Sequence, residues 1–379
     1  MPAPVVGIVG AGQLARMLHE AASALGINTV VLANSHDESA AQVAAGVEIG
    51  SPDDLDALLR LARRCDVVTF DHELVNPEHL AALADEGHVL RPGPGTLEVA
   101  VNKLEQRRRF EAAGLPVPAW AKATQAVEIT RFAERHGWPV VVKASRGGYD
   151  GRGVWICASP DEVTAVARMD AGGVFVVEEF VVLEQELAVL VARRPGGETA
   201  VYPVVETVQR DGVCHEVVAP ALIGEELAAK ARQIGEAVAA EVGSTGNLAI
   251  EMFVTDGKLL INEIAARPHN AGHFSIEGCV TSQFENHLRG VLDWPLGDTA
   301  LVAPAAVMVN VFGNGKVAEP AGKIPEATAV SGAHVHWYGK GSRPGRKLGH
   351  VTTLGPTADE ALARARAAAF ALDPREMGR

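Results

Sequence analysis

A short glycine-rich segment between two predicted strands constrains the fold of this 379-residue chain more than any other feature. Residues 143–154 read KASRGGYDGRGV, with Lys143 ending one strand and Val154 opening the next. Four glycines let backbone N–H groups approach phosphates, and the lysine and two arginines add positive charge. The segment therefore predicts a hairpin loop that covers phosphates rather than an ordinary exposed turn. Because the chain has no GxxxxGKS or GxxxxGKT motif, a P-loop fold is not predicted.

The length of the chain indicates more than one domain, because single cores stop growing near about 250–300 residues. In the first hundred residues, predicted strands alternate with predicted helices. The strands are Val5–Val9, Thr29–Leu32 and Asp66–Phe70, and the helices are Gln13–Ala24 and Leu55–Ala62. This alternation is typical of βαβ units, so we expect an N-terminal parallel sheet.

The pattern of elements changes after the first hundred residues. A single basic helix is predicted from about Val99 to Ala113. Residues 117–295 then alternate strands with glycine-rich loops and two helices, and residues 300–355 hold short strands and turns. A final alanine-rich helix is predicted over Asp359–Leu372. The chain is therefore expected to combine α/β and α+β architecture.

A second glycine motif lies at the first strand–helix turn. The segment Gly10-Ala11-Gly12-Gln13-Leu14-Ala15 has the GxGxxA form of the dinucleotide fingerprint, in which a phosphate approaches a helix N-terminus. An NAD site also needs an acid at the end of the next strand, but that strand ends in Leu32-Ala33-Asn34. NAD is therefore not predicted. A monophosphate on this helix end, or glycines needed only for a tight turn, both fit the motif.

Two acidic residues lie on a predicted hairpin of otherwise apolar strands that turns at Asp256-Gly257. Side-chain alternation places Glu251 on one face of the first strand and groups Ile261 with Glu263 on the second. A loop of three residues sets Glu251 opposite Glu263, whereas the commoner two-residue loop sets it opposite Asn262. We favour the first register, because it gives all three polar side chains, Glu251, Asn262 and Glu263, a role in the site.

Glu251 and Glu263 would repel each other as cross-strand neighbours unless a cation neutralises them. Oxygen ligands near a phosphate suit Mg²⁺ better than they suit a soft metal. The hairpin therefore predicts a magnesium site, although two acids on a solvated face fit the same pattern.

Basic residues follow the hairpin and recur near the C-terminus. Arg267-Pro268-His269-Asn270 comes directly after the hairpin, and a later segment carries four basic residues within eight positions. These four are Lys340, Arg343, Arg346 and Lys347. In a chain of net charge −13 such a concentration predicts a phosphate site, although charge runs are often only solvated.

Composition argues against several classes of function. A net charge of −13 disfavours nucleic-acid binding, which usually needs a basic face. The four cysteines (Cys65, Cys157, Cys214 and Cys279) form no CxxC pair, so neither a disulfide framework nor a zinc site is predicted. Neither a signal peptide nor a run of about 18 apolar residues is recognisable, so we expect a cytoplasmic protein without membrane spans.

Several motifs, taken in order along the chain, resemble one family. They are GAGQLARML at 10–18, the Gly147–Gly153 loop, NEIAARPHNAG at 262–272, SQFENHLR at 282–289 and the segment His336–His350. They resemble the ATP-grasp enzymes and, more narrowly, the N5-carboxyaminoimidazole ribonucleotide synthetase family of purine biosynthesis. The resemblance covers nearly the whole chain.

The resemblance implies a three-domain ATP-grasp architecture. Residues 1–98 would form a Rossmann-like, biotin-carboxylase-like pre-ATP-grasp domain with a parallel sheet. Residues 99–297 would form the ATP-grasp domain, with the nucleotide between its two subdomains, and residues 298–379 a small C-terminal domain. The implied reaction joins bicarbonate to 5-aminoimidazole ribonucleotide through carboxyphosphate, while ATP becomes ADP and phosphate. The implied cofactors are ATP and two Mg²⁺ ions, without NAD, haem or zinc, and the family is commonly homodimeric.

The resemblance also implies which residues bind nucleotide and metal. ATP phosphates would be bound by Lys103, Lys143 and a lid formed by Gly148, Tyr149, Asp150, Gly151, Arg152 and Gly153, and Val154 would also belong to the ATP site. Adenine and ribose would be held by Glu178, Glu179, Phe180, Val181 and Glu186, with Gln209 where some relatives have histidine. Mg²⁺ would be bound by Glu251 and Glu263, and the ATP site would also include Asn262 and Glu263.

A third implied set faces bicarbonate and the ribotide. The catalytic residues would be Tyr149, Asp150, Arg152, Arg267 and His269. The ribotide would contact Gly12, Gln13, Leu14, Glu73, Arg267, His269, Asn270, Lys340, Arg343, Arg346 and Lys347.

Three other functions compete with this interpretation. An ATP-grasp ligase of another substrate, such as a biotin carboxylase or a formate-dependent transformylase, is disfavoured by the basic C-terminal segment. An NAD-dependent oxidoreductase lacks the ribose-binding acid. A non-catalytic nucleotide-binding module would need a degraded metal pair, yet both hairpin glutamates are present.

Overall fold

The computed structural model describes residues 3–147, 153–169, 172–313 and 320–373. Within these ranges the chain forms three β-sheets with helices packed against them. Five predicted lid residues lie outside the described residues, namely Gly148, Tyr149, Asp150, Gly151 and Arg152.

The first sheet is parallel, as the alternation of elements predicts. Its strands are β1 Val5–Val9, β2 Asn28–Ala33, β3 Gly46–Ile49 and β4 Val67–Phe70, in the order β3-β2-β1-β4. Helices α1 Gln13–Ala24 and α2 Leu55–Ala62 pack on this sheet, and α3 Pro77–Asp85 packs on α2. Helices α1 and α2 have the predicted bounds, whereas β3 and α3 were not predicted.

The single basic helix expected near residue 100 is two helices, α4 Pro94–Val101 and α5 Lys103–Ala112. The prediction was wrong because Asn102 adopts an extended conformation, with φ −115° and ψ 94°. Its side chain accepts a hydrogen bond from the N–H of Glu105 and so caps α5. The break makes Lys103 the first residue of α5.

The second sheet is antiparallel and carries the glycine-rich loop. Its strands are β5 Trp120–Ala123, β6 Val140–Ala144, β7 Val154–Cys157 and β8 Phe175–Glu179, in the order β5-β8-β6-β7. Helices α6 Ala126–His136 and α7 Pro160–Met169 belong to the same unit. Lys143 pairs with Val154, which confirms the predicted strands on either side of the loop.

The third sheet has nine strands among the described residues. They are β9 Gln185–Arg193, β10 Thr199–Val201, β11 Val205–Arg210, β12 Val213–Ala219, β13 Gly246–Thr255, β14 Lys258–Ala265, β15 Ala305–Phe312, β16 Ala333–Trp337 and β17 Lys347–Gly355. Their order is β14-β13-β9-β11-β12-β15-β17-β16, with β10 paired to β9. The remaining helices are α8 Glu225–Glu241, α9 Ser275–Gly278, α10 Gln283–Val291, α11 Ile324–Thr328 and α12 Ala358–Leu372, with 3-10 turns at Asn270–Gly272 and Pro320–Lys323.

This third sheet crosses the predicted boundary between the second and third domains. Strand β12 pairs with β15 through contacts such as Glu216 opposite Val309. Because β15 continues to β17 and β16, the C-terminal basic segment is attached to the same sheet as the acidic hairpin. The exact domain bounds stay a prediction.

Helix α10 joins the N-terminal sheet to the third sheet. Phe284 and Leu288 are buried in the core around α1. Between the sheets, His287 accepts a hydrogen bond at Nδ1 from the N–H of Asn247, at 3.0 Å. Its Nε2 therefore carries the hydrogen and donates to Thr69 Oγ1, at 2.7 Å. Burial lowers the pKa of His287 to about 3.

The burial of His287 predicts a measurable loss of stability in acid. Below its usual pKa of 6.5, the unfolded chain binds a proton at this residue but the folded chain does not, so stability falls as pH falls. This residue should contribute a slope of about 1.4 kcal/mol per pH unit between about pH 6 and 4. A His287→Gln variant should be less stable at pH 7 but lose stability less steeply in acid, as measured by urea unfolding.

The matched control is the exposed His36→Gln variant, whose unfolding curve should follow that of the wild type at each pH. Equal slopes in the wild type and in His287→Gln would contradict a buried, neutral His287.

Candidate active site

A cavity of about 980 Å³ lies between the second and third sheets. Its volume is at the upper end of the range for small-molecule sites, large enough for a nucleotide beside a second molecule. The structure brings these predicted residues together on its walls: Glu73, Lys103, Lys143, Val154, Glu178, Glu179, Phe180, Val181, Glu186, Gln209, Glu251, Asn262, Glu263, Arg267, His269, Asn270 and Lys347. Other predicted and described residues do not line it: Gly12, Gln13, Leu14, Gly153, Lys340, Arg343 and Arg346.

The hairpin carboxylates Glu251 and Glu263 lie opposite each other in the β13–β14 ladder, as predicted. The predicted cause was wrong, because Thr255 pairs with Lys258 and the loop has two residues. A β-bulge restores the pairing, since Asn262 is an extra residue on β14.

Because of the bulge, the prediction that Ile261 and Glu263 share a face of β14 was wrong. Ile261 is fully buried in the core, whereas Glu263 lines the cavity, so the two do not share a face. The extra residue Asn262 reverses the alternation between them. Both Asn262 and Glu263 consequently line the same cavity.

The two carboxylates differ in their electrostatic surroundings. Burial, followed by the charge of Glu263, raises the pKa of Glu251 to about 8. Burial acts in the same direction on Glu263, but Lys103 outweighs it and lowers that pKa. The Lys103 ammonium lies 2.5 Å from Glu263 Oε2, and His269 Nε2 lies 3.4 Å from Glu251 Oε1. Each carboxylate therefore has a different counter-group.

The opposed pair fits Mg²⁺ only together with a bound molecule. Among the described residues, no group of three or more His, Cys, Asp or Glu side chains could hold a metal ion. Mg²⁺ needs near-octahedral oxygen ligands and is usually bound by one or two carboxylates plus substrate phosphates. The two oxygen-bearing side chains Glu251 and Glu263 match that pattern.

Behind the carboxylates lies a closed ring of buried polar contacts. Arg107 Nε lies 2.7 Å from Glu178 Oε1, and Lys143 Nζ lies 2.8 Å from Glu178 Oε2. Lys143 also donates to Asn262 Oδ1 at 3.1 Å, and Arg107 Nη2 donates to the Asn262 carbonyl at 2.7 Å. Arg107 and Glu178 are each 2% exposed, and Lys143 is 6% exposed.

The ring holds its charges against the cost of burial. Burial alone would raise the pKa of Glu178, but Arg107 and then Lys143 lower it to about 2. Burial lowers the pKa of Lys143, and Glu178 opposes that effect. Arg107 was missed because three consecutive arginines at 107–109 look alike, and only the rotation of α5 separates the buried one from its neighbours.

The linker between β8 and β9 forms an apolar end of the cavity. Phe180, Val182 and Leu183 are 42%, 75% and 44% exposed, respectively, and all three line the cavity. Exposed apolar side chains grouped in a concave site suit an apolar, planar group such as a base. Nearby, Glu179 accepts a hydrogen bond from the N–H of Ala119, and burial raises the pKa of Glu186.

At the other end of the cavity, Glu73 orients Arg267. Glu73 Oε2 accepts from Arg267 Nε at 2.8 Å, and Glu73 Oε1 accepts from the N–H of Ala266 at 3.0 Å. The Arg267 guanidinium is thus fixed at the cavity wall by a group from the N-terminal domain. Asn270, also on the wall, exchanges two side-chain hydrogen bonds with Asn310, which sequence analysis did not identify.

The ring of His269 is held by the backbone N–H of Ala271, and its backbone is held by a buried amide side chain. Its Nδ1 accepts from the N–H of Ala271 at 3.3 Å, so Nε2 carries the hydrogen that faces Glu251. Gln283, which is fully buried in α10, accepts from the His269 N–H at 2.9 Å and donates to its carbonyl at 2.7 Å. Burial, with Arg267 next, lowers the pKa of His269 to about 3, so the ring is neutral.

The N-terminal glycine turn is already occupied by a carboxylate of the chain. Asp71, which follows β4, accepts from the N–H of Gly12 at 2.5 Å and from that of Ala15 at 3.3 Å. A phosphate placed on this helix end would meet that negative charge, so the structure does not support the expected direct phosphate contact. Leu14 is buried in the core around α1 and does not line the cavity, so its predicted contact with the ribotide stays a prediction.

The C-terminal basic segment nevertheless meets this turn. Lys340 Nζ donates to Gln13 Oε1. Burial lowers the pKa of Lys340 to about 8, Asp71 opposes that effect, and the remaining basic residues add to it. These basic neighbours are Arg343, Arg346 and Lys347. The structure therefore places Lys340 against this turn, with the other three predicted cations close enough to affect its pKa.

Comparisons with known proteins agree with this geometry. An ATP-grasp domain model matches residues 108–284, a ribonucleotide synthetase preATP-grasp domain model matches residues 4–101, and a phosphoribosylaminoimidazole carboxylase C-terminal domain model matches residues 306–364. The N5-carboxyaminoimidazole ribonucleotide synthase of Mycobacterium tuberculosis is 49% identical over 376 residues, covering 97% of this chain and 87% of the relative.

Solved structures give the same result. The ADP complex of an N5-carboxyaminoimidazole ribonucleotide synthetase superposes with a TM-score of 0.91 at 35% identity, covering 100% of this chain and 99% of the other. The Aspergillus clavatus synthase in complex with ADP and 5-aminoimidazole ribonucleotide has a TM-score of 0.90 at 31% identity, covering 99% and 100%. This chain therefore belongs to the N5-carboxyaminoimidazole ribonucleotide synthase family and is an ATP-grasp ligase of purine biosynthesis.

Proposed function

We propose that the cavity between the second and third sheets carboxylates 5-aminoimidazole ribonucleotide with bicarbonate at the expense of ATP, giving N5-carboxyaminoimidazole ribonucleotide, ADP and phosphate. One observation carries the proposal. The opposed carboxylates Glu251 and Glu263 share a cavity with Lys143 on the nucleotide side and with Arg267 and Lys347 on the other side. A single site can therefore hold a nucleotide and an anionic second substrate in contact.

The nucleotide is proposed to lie along the β8–β9 linker. Phe180 and Val181 would cover the base, with Glu179 and Glu186 beside the base and ribose. Lys103 and Lys143 would bind the phosphates. Glu251 and Glu263, with Asn262 beside them, would hold two magnesium ions. Bound Mg²⁺ would neutralise the negative charge of the β- and γ-phosphates. Gln209 lines the cavity near this end, which supports a nucleotide contact for it as well.

Bicarbonate is proposed to lie between the γ-phosphate and Arg267. Transfer of the phosphoryl group to a bicarbonate oxygen gives carboxyphosphate, an activated carboxyl donor. Arg267, held in place by Glu73, would stabilise the negative charge of that intermediate. Neutral His269 would donate a hydrogen bond and help to orient the hairpin carboxylate Glu251. The protein thus contributes position and charge rather than covalent chemistry.

The exocyclic amine of the ribotide then attacks the carboxyl carbon of carboxyphosphate, or the CO₂ released from it. The C–O bond to phosphate breaks, and the amine loses a proton. The ribotide phosphate is proposed to bind Lys340, Arg343, Arg346 and Lys347, with Gln13 and Asn270 as polar neighbours. Roles for Tyr149, Asp150 and Arg152, and closure of the Gly148–Gly153 lid over the intermediate, remain part of this proposal, and Gly148–Arg152 lie outside the described residues.

Assembly and location complete the proposal. We propose a cytoplasmic homodimer that binds neither nucleic acid nor membrane. All four cysteines are free thiols, which suits a reducing compartment. Among the described helices, none is long and apolar enough to cross a membrane.

The reaction is tested by measuring ADP release with Mg-ATP and bicarbonate, with and without 5-aminoimidazole ribonucleotide. The ribotide should stimulate ADP release by about tenfold or more, because binding of its remote phosphate contributes to the transition state. Omission of bicarbonate should abolish the stimulation. Nucleotide binding without any ribotide effect, or stimulation by biotin instead, would overturn the proposed substrate while keeping the ATP-grasp fold.

Replacing Glu263 with Gln should lower ATP turnover by about a hundredfold or more, since the proposed Mg²⁺ would lose one of its two carboxylate ligands. Thermal unfolding should stay close to that of the wild type, because the substitution keeps the shape of the side chain. The exposed Glu198→Gln variant serves as the matched control and should retain full turnover. Turnover near the wild-type rate in Glu263→Gln would remove this residue from the metal site.

Replacing Lys340 with Met should raise the KM for the ribotide by about ten- to a hundredfold while leaving ATP affinity unchanged, because one charged hydrogen bond to phosphate is lost. Since the pKa of Lys340 is about 8, the wild-type KM should also rise above pH 8, and this rise should be absent in Lys340→Met.

Lys323→Met removes an exposed lysine of the same C-terminal region and is the control for a general loss of charge. An unchanged ribotide KM in Lys340→Met would place the ribotide phosphate elsewhere.

A further inference from the structure

Arg107 is a buried cation that the proposed reaction does not use. It lies on α5 and, unlike Lys143, Glu178 and Asn262, it does not line the cavity. Two of its donors are committed, one to Glu178 Oε1 and one to the Asn262 carbonyl, both at 2.7 Å. With 2% of its surface exposed, it cannot reach a ligand without dismantling these contacts. Any effect of Arg107 on the reaction must therefore act through its partners.

The charges of Arg107, Glu178 and Lys143 indicate how Arg107 acts on the cavity. Arg107 and Lys143 share the single carboxylate of Glu178, so the three side chains carry a net charge of +1. Arg107 approaches Glu178 from the side away from the cavity, and Lys143 lies on the cavity side. Without Arg107, the carboxylate would be paired with Lys143 alone, and the charge facing the cavity would be cancelled. Buried charges interact strongly because little solvent screens them.

The ring also fixes the geometry of the hairpin. Glu178 belongs to the second sheet, and Asn262 is the bulged residue of the third sheet. Arg107 bonds to both, although it does not itself line the cavity, and therefore connects the two cavity walls from behind. Asn262 is in turn held by Lys143 through its side-chain oxygen.

We propose that Arg107 is a positioning residue that neutralises Glu178 from behind, so that Lys143 keeps its positive charge for the phosphates of the nucleotide. The inference rests on the proposed contact between Lys143 and those phosphates. It predicts that Arg107 governs the part of the binding affinity that depends on phosphate and has little effect on the part that depends on the nucleoside.

The test compares ADP with adenosine by calorimetric titration of the full-length chain. Arg107→Met should weaken ADP binding by about tenfold or more, because one cation of the ring is lost, while adenosine binding changes by less than about twofold. Arg108→Met, on the exposed side of the same helix, is the matched control and should leave both affinities unchanged. Arg107→Lys, which keeps the charge but not the two-point contact, should lie between Arg107→Met and the wild type.

The decisive variant combines Arg107→Met with Glu178→Gln. Removing both charges again leaves Lys143 with the net charge of +1, so ADP affinity should recover most of the loss seen in Arg107→Met. A purely structural role predicts the opposite, because the double variant breaks more contacts than the single one. Equal weakening of ADP and adenosine in Arg107→Met, or no recovery in the double variant, would overturn the inference. Should Arg107→Met not fold, Arg107→Lys gives the comparison of ADP with adenosine, and the double variant is compared directly with the wild type, whose ADP affinity it should approach.

The variant Lys143→Met tests the proposed contact between Lys143 and the nucleotide phosphates, on which the inference about Arg107 rests. A large loss of ADP affinity in Lys143→Met supports the contact between Lys143 and phosphate. If that loss is absent, the assignment of Lys143 is wrong and the inference falls with it. If the loss is present but Arg107→Met shows no preference for ADP over adenosine, only the inference about Arg107 is overturned.

Discussion

The site depends on one electrostatic conflict, the placement of Glu251 directly opposite Glu263 on neighbouring strands. Two facing carboxylates destabilise a hairpin unless other groups compensate. In this chain the compensation is local and unequal, since Lys103 lies against Glu263 whereas His269 lies near Glu251. Burial and the charge of Glu263 raise the pKa of Glu251, which favours a proton on this carboxylate over a second negative charge when no cation is bound.

The architecture attaches this acidic hairpin and a basic segment to one sheet. The hairpin strand β14 lies at one end of the third sheet, and β16 and β17, which flank the basic segment, lie at the other. Cations such as Lys347 and Lys340 are thus positioned by the same sheet that positions the carboxylates. The N-terminal domain is connected to this sheet by two contacts, Glu73 with Arg267 and Thr69 with His287 of α10. A protein of net charge −13 can in this way place cations such as Lys143, Arg267 and Lys347 on the walls of the same cavity as its acidic hairpin.

Local patterns predicted much of this arrangement, and the failures have physical causes. The bounds of α1 and α2, the parallel sheet and the strands around the glycine-rich loop followed from periodicity and turn residues. The break at Asn102 and the bulge at Asn262 did not, because each depends on one residue whose backbone conformation is set by its neighbours in space. Arg107 and Gln283 were missed for a related reason: polar residues on predicted helices become functional only through burial, which depends on tertiary packing.

The N-terminal glycine motif shows how a familiar pattern can serve a different purpose. A side chain at Gly12 would place its first carbon 2.4 Å from Asp71 Oδ2 and would displace this carboxylate from the turn, so glycine here leaves room for an anion of the chain itself. The positive end of the α1 dipole is thereby satisfied internally. The motif then joins the carboxyl ends of β1 and β4 and presents Gln13 to Lys340, instead of receiving a dinucleotide. A GxGxxA turn without a ribose-binding acid on the next strand is thus consistent with an internal anion, and in this fold it acts as a structural joint beside the site.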